Sequence, residues 1–320
     1  MVDPPRSLDV AMATFHREER LLELMPLLLA QGETAADALG LEFDYRVLVV
    51  DNDPAGSARA AATTTGNPQV HYVVESNPGV ANARNRALAE ATGTDILAFI
   101  DDDEVPHADW LTKLLATHLE YAADLVAGPV YPILLEEPEL WVKASGQYNE
   151  AHRSHLRTGE IITRAGTGNV LLDLRTVRRA GVSFDQRFGL TGGEDSVFTQ
   201  QLADSGAKMV WCAEAVADHW VPAERATRTY VLERSYSLGN SGVRAEVYLA
   251  SKGVDRVLTQ VKWGVTCVGS VLKGATQALF GRATASLALQ ANGEMRAMGG
   301  LGGLAGLVGA IVTPYGTTNN

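Results

Sequence analysis

Three consecutive carboxylates, Asp101–Asp103, follow an apolar run in the sequence FIDDDEVPHADW at residues 99–110. Like charges held side by side repel one another, so the fold has to compensate them. The ordinary explanation is a solvated turn at the start of a helix, where acidic side chains are favoured. The other explanation is that two carboxylates on a tight turn bind a divalent hard cation, Mg²⁺ or Mn²⁺, which holds a substrate diphosphate. This stretch by itself leaves both explanations open.

The same stretch also fits a different enzyme class. Four apolar residues followed by DxDx[TV], here Asp101, Asp103 and Val105, resemble the nucleophile loop of haloacid-dehalogenase-like phosphatases. Such a loop usually lies near the N-terminus, whereas this one follows the fourth predicted strand. The class also needs a further acidic pair and a downstream lysine, and no lysine before the end of the middle region has a suitable context. These lysines are Lys113, Lys143 and Lys208. A phosphatase with Asp101 as its nucleophile is therefore retained as the alternative function.

Alternating strand-like and helix-like segments lead up to these carboxylates. The predicted strands are 8–14, 45–51, 70–74 and 95–100, and the predicted helices lie near 21–29, 56–64 and 79–91. This βαβαβαβ pattern predicts an α/β fold with a parallel sheet and helices on both of its faces. Ligands of such sheets bind beyond the carboxyl ends of the strands, where three polar clusters lie. The clusters are Thr14–Arg17, Asp51–Asp53 and Asp101–Asp103.

The rest of the chain is less regular. Strands are predicted at 125–131, 167–172 and 209–212, and a helix is predicted to begin near the sequence GGED at 192–195. From about Thr227 onward the pattern predicts amphipathic helices. The chain then reaches the apolar run MGGLGGLAGLVGAIV at 298–312, which is interrupted by glycines and too short to predict a membrane span. We therefore expect a Rossmann-like α/β domain over 1–240 and a helical extension over 241–320.

Composition narrows the class of protein. The net charge of −11 comes from 27 Lys and Arg against 38 Asp and Glu. This balance excludes a general nucleic-acid binder, because affinity for phosphate backbones rests largely on Lys and Arg. Cys212 and Cys267 have no spacing typical of a disulfide framework or a zinc site, which favours a reducing compartment. The N-terminal sequence has no basic segment followed by an apolar core, so no secretory signal is predicted and a cytoplasmic location is expected.

Basic residues are concentrated in the C-terminal region in spite of the acidic total. Residues 225–296 contain ten Lys and Arg against four Asp and Glu. Apolar residues of this region recur on one predicted helical face: Val257, Leu258, Val261, Val265, Val268 and Leu272. Basic side chains beside an apolar face are typical of a helix in an anionic membrane interface, with Trp263 at the headgroup level. The prediction is peripheral contact with the inner face of the cell membrane. The alternative is that this face packs on the rest of the chain or on a second subunit.

Seven sequence blocks occur in the order and approximate spacing seen in family 2 glycosyltransferases of the GT-A fold, which the chain resembles over about residues 8–240. The blocks are VAMATFHRE, VLVVDNDP, NPGVANARNRAL, LAFIDDDEVPHADW, GTGNVLL, GLTGGEDSVF and ADHWVPAER. A closer resemblance is to bacterial exopolysaccharide glucosyltransferases of the succinoglycan-assembly β-1,4 type, in which the DNDP, FIDDDE and GGED blocks also occur together. The resemblance implies inverting transfer of a hexose. The expected donor is UDP-glucose, and the expected acceptor is a lipid-linked oligosaccharide of exopolysaccharide assembly.

The resemblance also implies a donor site. The implied nucleotide-sugar contacts are Thr14, Phe15, Arg17, Asp51, Asn52, Asp53, Arg84, Asp101, Asp102, Gly168, Asn169 and Trp220. Asn52 stands where many relatives have an aspartate that reads the uracil edge, and an amide can still hydrogen-bond that edge. The DxD motif of the family corresponds to Asp101 and Asp103, which with His219 are the implied ligands of Mn²⁺ or Mg²⁺. Ordinary explanations stay open for several of these residues: a surface arginine at Arg84, a non-ligating histidine at His219, and structural roles for Gly168, Asn169 and Trp220.

The GGEDS block supplies the catalytic base in this resemblance. An inverting transferase needs a carboxylate that takes a proton from the acceptor hydroxyl. Asp195 corresponds to that base, Glu194 is the second candidate, and Gly192 and Gly193 would let the backbone pass close to the sugar. Alternatively, the two acids only favour the start of a helix. A non-catalytic nucleotide-sugar-binding scaffold is a further alternative, against which the presence of both Asp103 and Asp195 argues.

Overall fold

The structure is a computed structural model that describes residues 3–151, 153–250 and 252–312. These residues form two compact units. The first unit holds the chain up to residue 131 together with 151–186 and 198–220, and the second holds 132–150, 187–197 and the chain from 221 onward. The predicted division at residue 240 lies within a helix and stays a prediction of domain organisation.

Strands and helices alternate through most of the described residues. The strands are β1 Ser7–Thr14, β2 Asp44–Asp51, β3 Val70–Val74, β4 Ile96–Ile100, β5 Glu104–Pro106, β6 Leu125–Ala127, β7 Val130–Leu134, β8 Asn169–Asp173, β9 Met209–Trp211 and β10 Ala217–Val221. The helices are α1 Glu18–Leu39, α2 Arg59–Thr63, α3 Val80–Glu90, α4 Trp110–Tyr121, α5 Leu140–Ser145, α6 Leu174–Ala180, α7 Glu194–Asp204, α8 Arg228–Leu249, α9 Val254–Ala283 and α10 Leu287–Leu307. Short 3₁₀ helices occur at Gln186–Phe188 and Ala223–Arg225. The α/β class predicted from the sequence is confirmed.

A seven-stranded sheet with the order β3-β2-β1-β4-β8-β6-β9 is the centre of the first unit. The strands β3, β2, β1 and β4 are parallel, whereas β8 runs antiparallel between β4 and β6, so the sheet is mostly rather than wholly parallel. The register pairs Thr14 with Asp51 and Ala11 with Phe99. The carboxyl ends of β1, β2 and β4 therefore share one edge, to which they bring the three polar clusters.

Both faces of this sheet are buried, as helical crossovers require. Alternate residues of β1 point to opposite faces, so Val10 and Met12 pack with α1 and α4, whereas Ala11 packs with α3. A smaller sheet has the order β5-β10-β7, and the antiparallel pairing of β5 with β10 places His219 opposite Glu104. This register brings the DHW sequence of β10 to the acidic turn after β4.

Glycines allow close helix packing in the second unit. A Cβ atom at Gly293 of α10 would lie 2.4 Å from the Ala278 nitrogen of α9, and one at Gly302 would lie 1.9 Å from the Tyr236 oxygen of α8. Only glycine permits such a close approach of backbones. The glycine-rich run is thus largely the packed part of α10. Among the described residues, no helix has the length and apolar character needed to cross a membrane.

The apolar face predicted for the C-terminal region lies on α9 and is exposed to solvent. Its six predicted residues have 47–71% of their surface exposed. The described chain therefore does not cover this face. Trp263 differs from its prediction, because it packs inward against Val243, Val247 and Cys267 instead of joining the exposed face. The centre of the exposed face is a stripe that consists of Val254, Leu258, Val261, Val265, Val268, Leu272, Ala275 and Leu279. Trp263 lies about half a helical turn from the centre of this exposed stripe, on the side that packs within the unit, which is the physical reason.

Candidate active site

Two arginines compensate the acidic turn after β4. Arg17, which follows β1, places Nη1 2.5 Å from Asp102 Oδ1 and 3.0 Å from Asp103 Oδ2. Arg84 on α3 places Nη2 3.2 Å from Asp101 Oδ1. Arg84 is only 6% exposed, so it is not an ordinary surface arginine. The fold thus brings five of the predicted donor-site side chains together from three different segments.

Asp103 and His219, two of the predicted metal ligands, lie close together. Nδ1 of His219 lies 3.4 Å from Asp103 Oδ1. The backbone supports this approach, because the Trp220 nitrogen donates a 3.1 Å hydrogen bond to the Asp103 oxygen. Asp101, the third predicted ligand, faces Arg84 as described above. The pair therefore presents a carboxylate oxygen beside an imidazole nitrogen.

Glu104 is a fourth acid at this turn, which sequence reasoning missed. Burial, followed by the charges of Asp101 and Asp103, raises the pKa of Glu104 well above its usual range. Burial also raises the pKa of Asp102 to about 6, although the adjacent Arg17 acts in the opposite direction. Burial is the main cause of both shifts, and the neighbouring carboxylates add to it. The turn carries four acids against two arginines, so acidic residues are in excess there. The FIDDDE sequence contained the signal, since Glu104 extends the acidic run by one residue.

Gly168 leaves room for these carboxylates. A Cβ atom at this position would lie 2.6 Å from Glu104 Oε1 and 2.9 Å from Asp101 Oδ2. Any larger side chain would displace one of them. Gly168 was predicted as a sugar contact, and the structure places it against the acidic turn.

The chemistry of this turn fits a divalent cation that is shared with a substrate. Among the described residues, no group of three or more His, Cys, Asp or Glu side chains is arranged to hold a metal ion by itself. Mg²⁺ is commonly bound through one or two carboxylates, with substrate phosphates and water as further ligands. Mn²⁺ also accepts the imidazole nitrogen offered by His219. The excess negative charge and the Asp103–His219 pair therefore suit a cation that brings phosphate oxygens with it.

The second polar cluster, after β2, holds the surrounding loops in place. Asp51 is fully buried and accepts hydrogen bonds from the backbone nitrogens of Asp53 at 3.0 Å and Ala58 at 2.9 Å. The hydroxyl of Tyr72 donates a further bond to Asp51 at 2.6 Å. Asp53 in turn accepts a 3.0 Å bond from the Ala55 nitrogen, and this bond is the main reason that its pKa is lowered. Both carboxylates thus shape the turn that follows the strand.

Asn52 uses its amide in the same way. Its Nδ2 donates to the backbone oxygens of Glu75 at 2.9 Å and Asn77 at 2.7 Å, and its Oδ1 accepts from the Gly79 nitrogen at 2.8 Å. These bonds fix the start of α3, which carries Arg84. Asn52 acts on the arrangement of the site through this loop, and contact with a nucleobase stays a prediction.

The end of β1 offers an exposed aromatic ring. Thr14 is buried, whereas Phe15 is 41% exposed and contacts His16 edge to face at 4.2 Å. His16 adopts φ 52°, a left-handed conformation that is uncommon for a residue with a Cβ atom. This conformation turns the chain sharply between the exposed ring and Arg17. A flat ligand can stack on Phe15 at this position.

Asn169 and Trp220 have different surroundings. Asn169 is only 3% exposed, and its amide accepts from Trp110 Nε1 at 2.8 Å and donates to the oxygens of Pro129 and Ala215. This set of bonds gives Asn169 a structural role in the core. Trp220 is partly exposed and lies under the guanidinium of Arg20 at 4.3 Å, a contact that the sequence did not predict.

Glu194 and Asp195 begin helix α7, and in the second unit they follow a turn made by two glycines. Gly192 and Gly193 have φ values of 76° and 100°, which favour glycine. Glu194 is buried, and Asp195 is partly exposed with Oδ1 accepting a 2.6 Å bond from the Ser196 nitrogen. The helix start predicted here is confirmed, while the catalytic role of Asp195 stays a prediction.

Solved structures resemble this fold. The mannosyltransferase PcManGT from Pyrobaculum calidifontis, in complex with GDP-Man and Mn²⁺, superposes with a TM-score of 0.59 at 16% identity, covering 94% of this chain and 88% of its own. TarS residues 1–349 from S. aureus, in complex with UDP-GlcNAc, has a TM-score of 0.50 at 12% identity and 90% coverage of both chains. The fold is therefore the GT-A fold of these structures.

Sequence comparison narrows this fold class to one family. The chain belongs to glycosyl transferase family 2, whose sequence model matches residues 9–172. Succinoglycan biosynthesis protein ExoM from Rhizobium meliloti strain 1021 is 31% identical over 242 residues, which cover 73% of each chain. The resemblance inferred from the seven blocks is confirmed. The acidic turn lies inside the matched residues, so the family assignment replaces the phosphatase hypothesis.

Proposed function

We propose that this glycosyltransferase moves glucose from UDP-glucose, with inversion at the anomeric carbon, to a lipid-linked exopolysaccharide intermediate. The observation that carries the proposal is the Asp103–His219 pair at 3.4 Å, set in an acidic turn that Arg17 and Arg84 compensate only in part. The relation to a succinoglycan biosynthesis protein supports an acceptor of exopolysaccharide assembly. Solved neighbours that contain nucleotide sugars support a donor of that class.

Asp103 and His219 would hold the divalent cation, Mn²⁺ or Mg²⁺, with Asp101 as the third candidate. When bound, the cation would neutralise negative charge on the departing diphosphate. Arg17 orients Asp103 through its 3.0 Å contact with Oδ2, the carboxylate oxygen that His219 does not contact. The exposed ring of Phe15 would support the nucleobase. These assignments use side chains that the fold already brings together.

Asp195, in the second unit, would act as the general base of the transfer. Its carboxylate accepts the proton of the acceptor hydroxyl while that oxygen forms a bond to the anomeric carbon. The bond from the anomeric carbon to the diphosphate oxygen breaks on the opposite face, and UDP leaves with the electron pair. The product is a β-linked sugar. The Ser196 nitrogen holds one carboxylate oxygen, which fixes the orientation of the base.

The exposed stripe of α9 would bring the enzyme to its acceptor. A lipid-linked acceptor stays at the membrane, and α9 combines an uncovered apolar face with four basic residues against one acidic residue. These charges are Arg256, Lys262, Lys273 and Arg282 against Asp255. The charge favours an anionic bilayer over a second copy of the same helix, which would carry the same positive charge.

The experiment that tests the donor assignment is calorimetric titration of the protein with UDP, with and without Mn²⁺ or Mg²⁺. Asp103→Ala should lose the metal-dependent part of the affinity, because one of two ligands is removed. Asp218→Asn is the matched control, since Asp218 neighbours His219 on β10 but contacts His107 instead. Asp103→Ala protein with unchanged metal dependence would overturn the metal assignment. Thermal shifts with UDP-glucose, UDP-GlcNAc and GDP-mannose would then identify the donor, because a ligand of the folded state raises its stability.

A further inference from the structure

A cavity of about 260 Å³ lies within the second unit, between the start of α9 and the end of α10. Three arginines contribute to its lining, Arg187, Arg244 and Arg256, together with the aromatic rings of Phe188 and Tyr248. No Asp or Glu occurs among the described residues that line it. The described lining therefore offers no carboxylate to the buried Nη1 of Arg244. Arg244 and Arg256 belong to the basic excess noted in the sequence, and the membrane contact proposed above uses Arg256 only as one charge among several.

Arg244 is unusual because it has a buried guanidinium nitrogen without a hydrogen-bond partner in the described part of the chain. Its Nη1 is buried, with no hydrogen-bond partner among the described residues, and its guanidinium lies 5.4 Å from the centre of the Phe188 ring. Burial lowers the pKa of Arg244 from its ordinary value. Buried guanidinium donors nearly always have a hydrogen-bond partner, because an unpaired donor loses its hydration and gains no hydrogen bond in exchange. The donor at Arg244 is therefore suited to an acceptor that comes from outside the chain.

The other two arginines define what kind of group can enter. Arg187 is held in place, since its Nη2 donates to the Tyr248 hydroxyl at 2.5 Å and its guanidinium stacks on that ring at 4.3 Å. Arg256 is exposed in the first turns of α9. Planar guanidinium groups match the oxygens of phosphate with paired hydrogen bonds. Pockets for whole cofactors usually measure about 300–1,000 Å³, so this cavity suits a headgroup-sized anion better than a nucleotide.

We propose that this cavity binds a phosphate or diphosphate group through Arg244 and Arg256. Three sources share this chemistry: the diphosphate of a lipid-linked acceptor, the headgroup of an anionic membrane lipid, and the free anion. The first source rests on the function proposed above. The exposed stripe of α9 begins at Val254, close in sequence to Arg256, so an apolar surface for a lipid chain lies on the same helix as the cavity.

The test is calorimetric titration of the full chain with inorganic diphosphate and with farnesyl diphosphate. EDTA is present so that a metal-dependent donor site does not contribute. Arg244→Gln and Arg256→Gln should each weaken binding at least about tenfold, as expected for loss of a charge-assisted bond. Lys273→Gln removes the same charge from an exposed position farther along α9, outside the cavity lining, and should leave the affinity for inorganic diphosphate unchanged. Should Arg244→Gln fail to fold, Arg256→Gln still decides the outcome, because Arg256 is exposed.

The probes separate the three sources. Tighter binding of farnesyl diphosphate than of inorganic diphosphate supports a lipid-linked diphosphate, and equal binding supports the free anion. Sedimentation with phosphatidylglycerol vesicles that depends on Arg244 and Arg256 supports a headgroup. The proposal is overturned if no probe binds. It is also overturned if Lys273→Gln loses as much affinity for inorganic diphosphate as Arg244→Gln and Arg256→Gln do. Binding of UDP with Mn²⁺ is measured on the same protein, so a failed donor site and a failed cavity are distinguished.

Discussion

Asp103 meets two nitrogen groups of different chemistry, the guanidinium of Arg17 at 3.0 Å and the imidazole of His219 at 3.4 Å. Arg17 stays protonated at any accessible pH, so its compensation of the carboxylate is permanent. A neutral imidazole, by contrast, can share a cation with the carboxylate. The two contacts together explain how adjacent acids persist in the folded chain and still offer a carboxylate and an imidazole to the proposed cation.

The proposed base is tested by Asp195→Asn. The amide is nearly isosteric and can still accept the bond from the Ser196 nitrogen, so the fold and donor affinity should be retained. Transfer to the acceptor should fall by about 10²–10⁴-fold, the range of a positioned general base. Initial rates of sugar transfer measure this loss, and calorimetry with UDP checks that donor binding is intact.

Asp204→Asn is the matched control, because it makes the same change at the exposed other end of α7. Its transfer rate should equal that of the unchanged protein. Near-normal turnover of Asp195→Asn with its acceptor would remove this residue from the role of base. Glu194→Gln would then be the next variant to measure.

The residues of the exposed stripe of α9 are separated alternately by four and by three positions along the sequence. The stripe consists of Val254, Leu258, Val261, Val265, Val268, Leu272, Ala275 and Leu279. At 1.5 Å per residue it is about 38 Å long. Such a narrow stripe suits either a membrane interface or a second helix in a coiled coil. The basic residues of the helix favour the membrane, and an experiment on this element can separate the two partners.

We predict that the full chain sediments with anionic vesicles at low salt and is released as salt rises. Replacing Leu258, Val265 and Leu272 together with glutamine should lower vesicle binding at least about tenfold. The reason is that each of these side chains would contribute about 1.5–3 kcal/mol when it is buried in the membrane interface. Leu140→Gln is the control, because this residue of α5 is 77% exposed and lies outside the stripe. A truncation at residue 240 is less suitable, because it would cut α8 and remove the helix that packs on Asn240.

Self-association gives a different result in the same variants. If α9 binds a second copy, sedimentation velocity should show a dimer that the triple variant converts to a monomer, with little binding to vesicles in either protein. That outcome would contradict the membrane assignment and leave the exposed stripe as a subunit interface.

The free energy of unfolding is a property of the whole molecule, and one buried histidine contributes to its change with pH. His118 on α4 is only 1% exposed, and its Nδ1 lies 2.7 Å from the Ala123 oxygen. Burial is the largest influence and lowers the pKa of His118, partly opposed by the Ala123 bond and the charge of Asp173, whereas Arg175 acts with burial. Below about pH 6.5 the unfolded chain therefore binds a proton that the folded chain resists. The free energy of unfolding should fall as the pH is lowered through this range.

Urea unfolding at about pH 7.5 and about pH 5.5 measures this contribution, whose slope cannot exceed about 1.4 kcal/mol per pH unit. His118→Asn keeps a donor for the Ala123 oxygen but does not titrate, so its loss of stability on acidification should be smaller. The comparison with this variant is needed because Asp102, with its pKa raised to about 6, changes stability in the opposite direction over the same range. Equal pH dependence in both proteins would contradict the role given to His118.

The amino-acid sequence was enough to predict the α/β class, the order of the strands along the chain and the places of the three polar clusters. The strands and helices follow from the spacing of apolar residues, which is a local property of the sequence. The meeting of the polar clusters at one edge follows from the parallel βαβ connection, which fixes where each strand ends. The amino-acid sequence also predicted the family, because seven blocks in order are more specific than any one of them. The start of α7 at Glu194 followed from acids after two glycines.

Tertiary structure alone decided which partners these side chains have. Arg17 and Asp102 are 85 residues apart in sequence, and only the pairing of β1 with β4 brings them together. Asn169 could not be assigned to the core from its block, because the Trp110 donor comes from another element. Periodicity predicted an apolar face on α9, but not which side packs within the chain, so Trp263 was misplaced. Hydrogen-bond partners and burial depend on which distant segments pair in the fold, and a local sequence pattern does not contain that information. Strands and helices, by contrast, depend mainly on neighbouring residues.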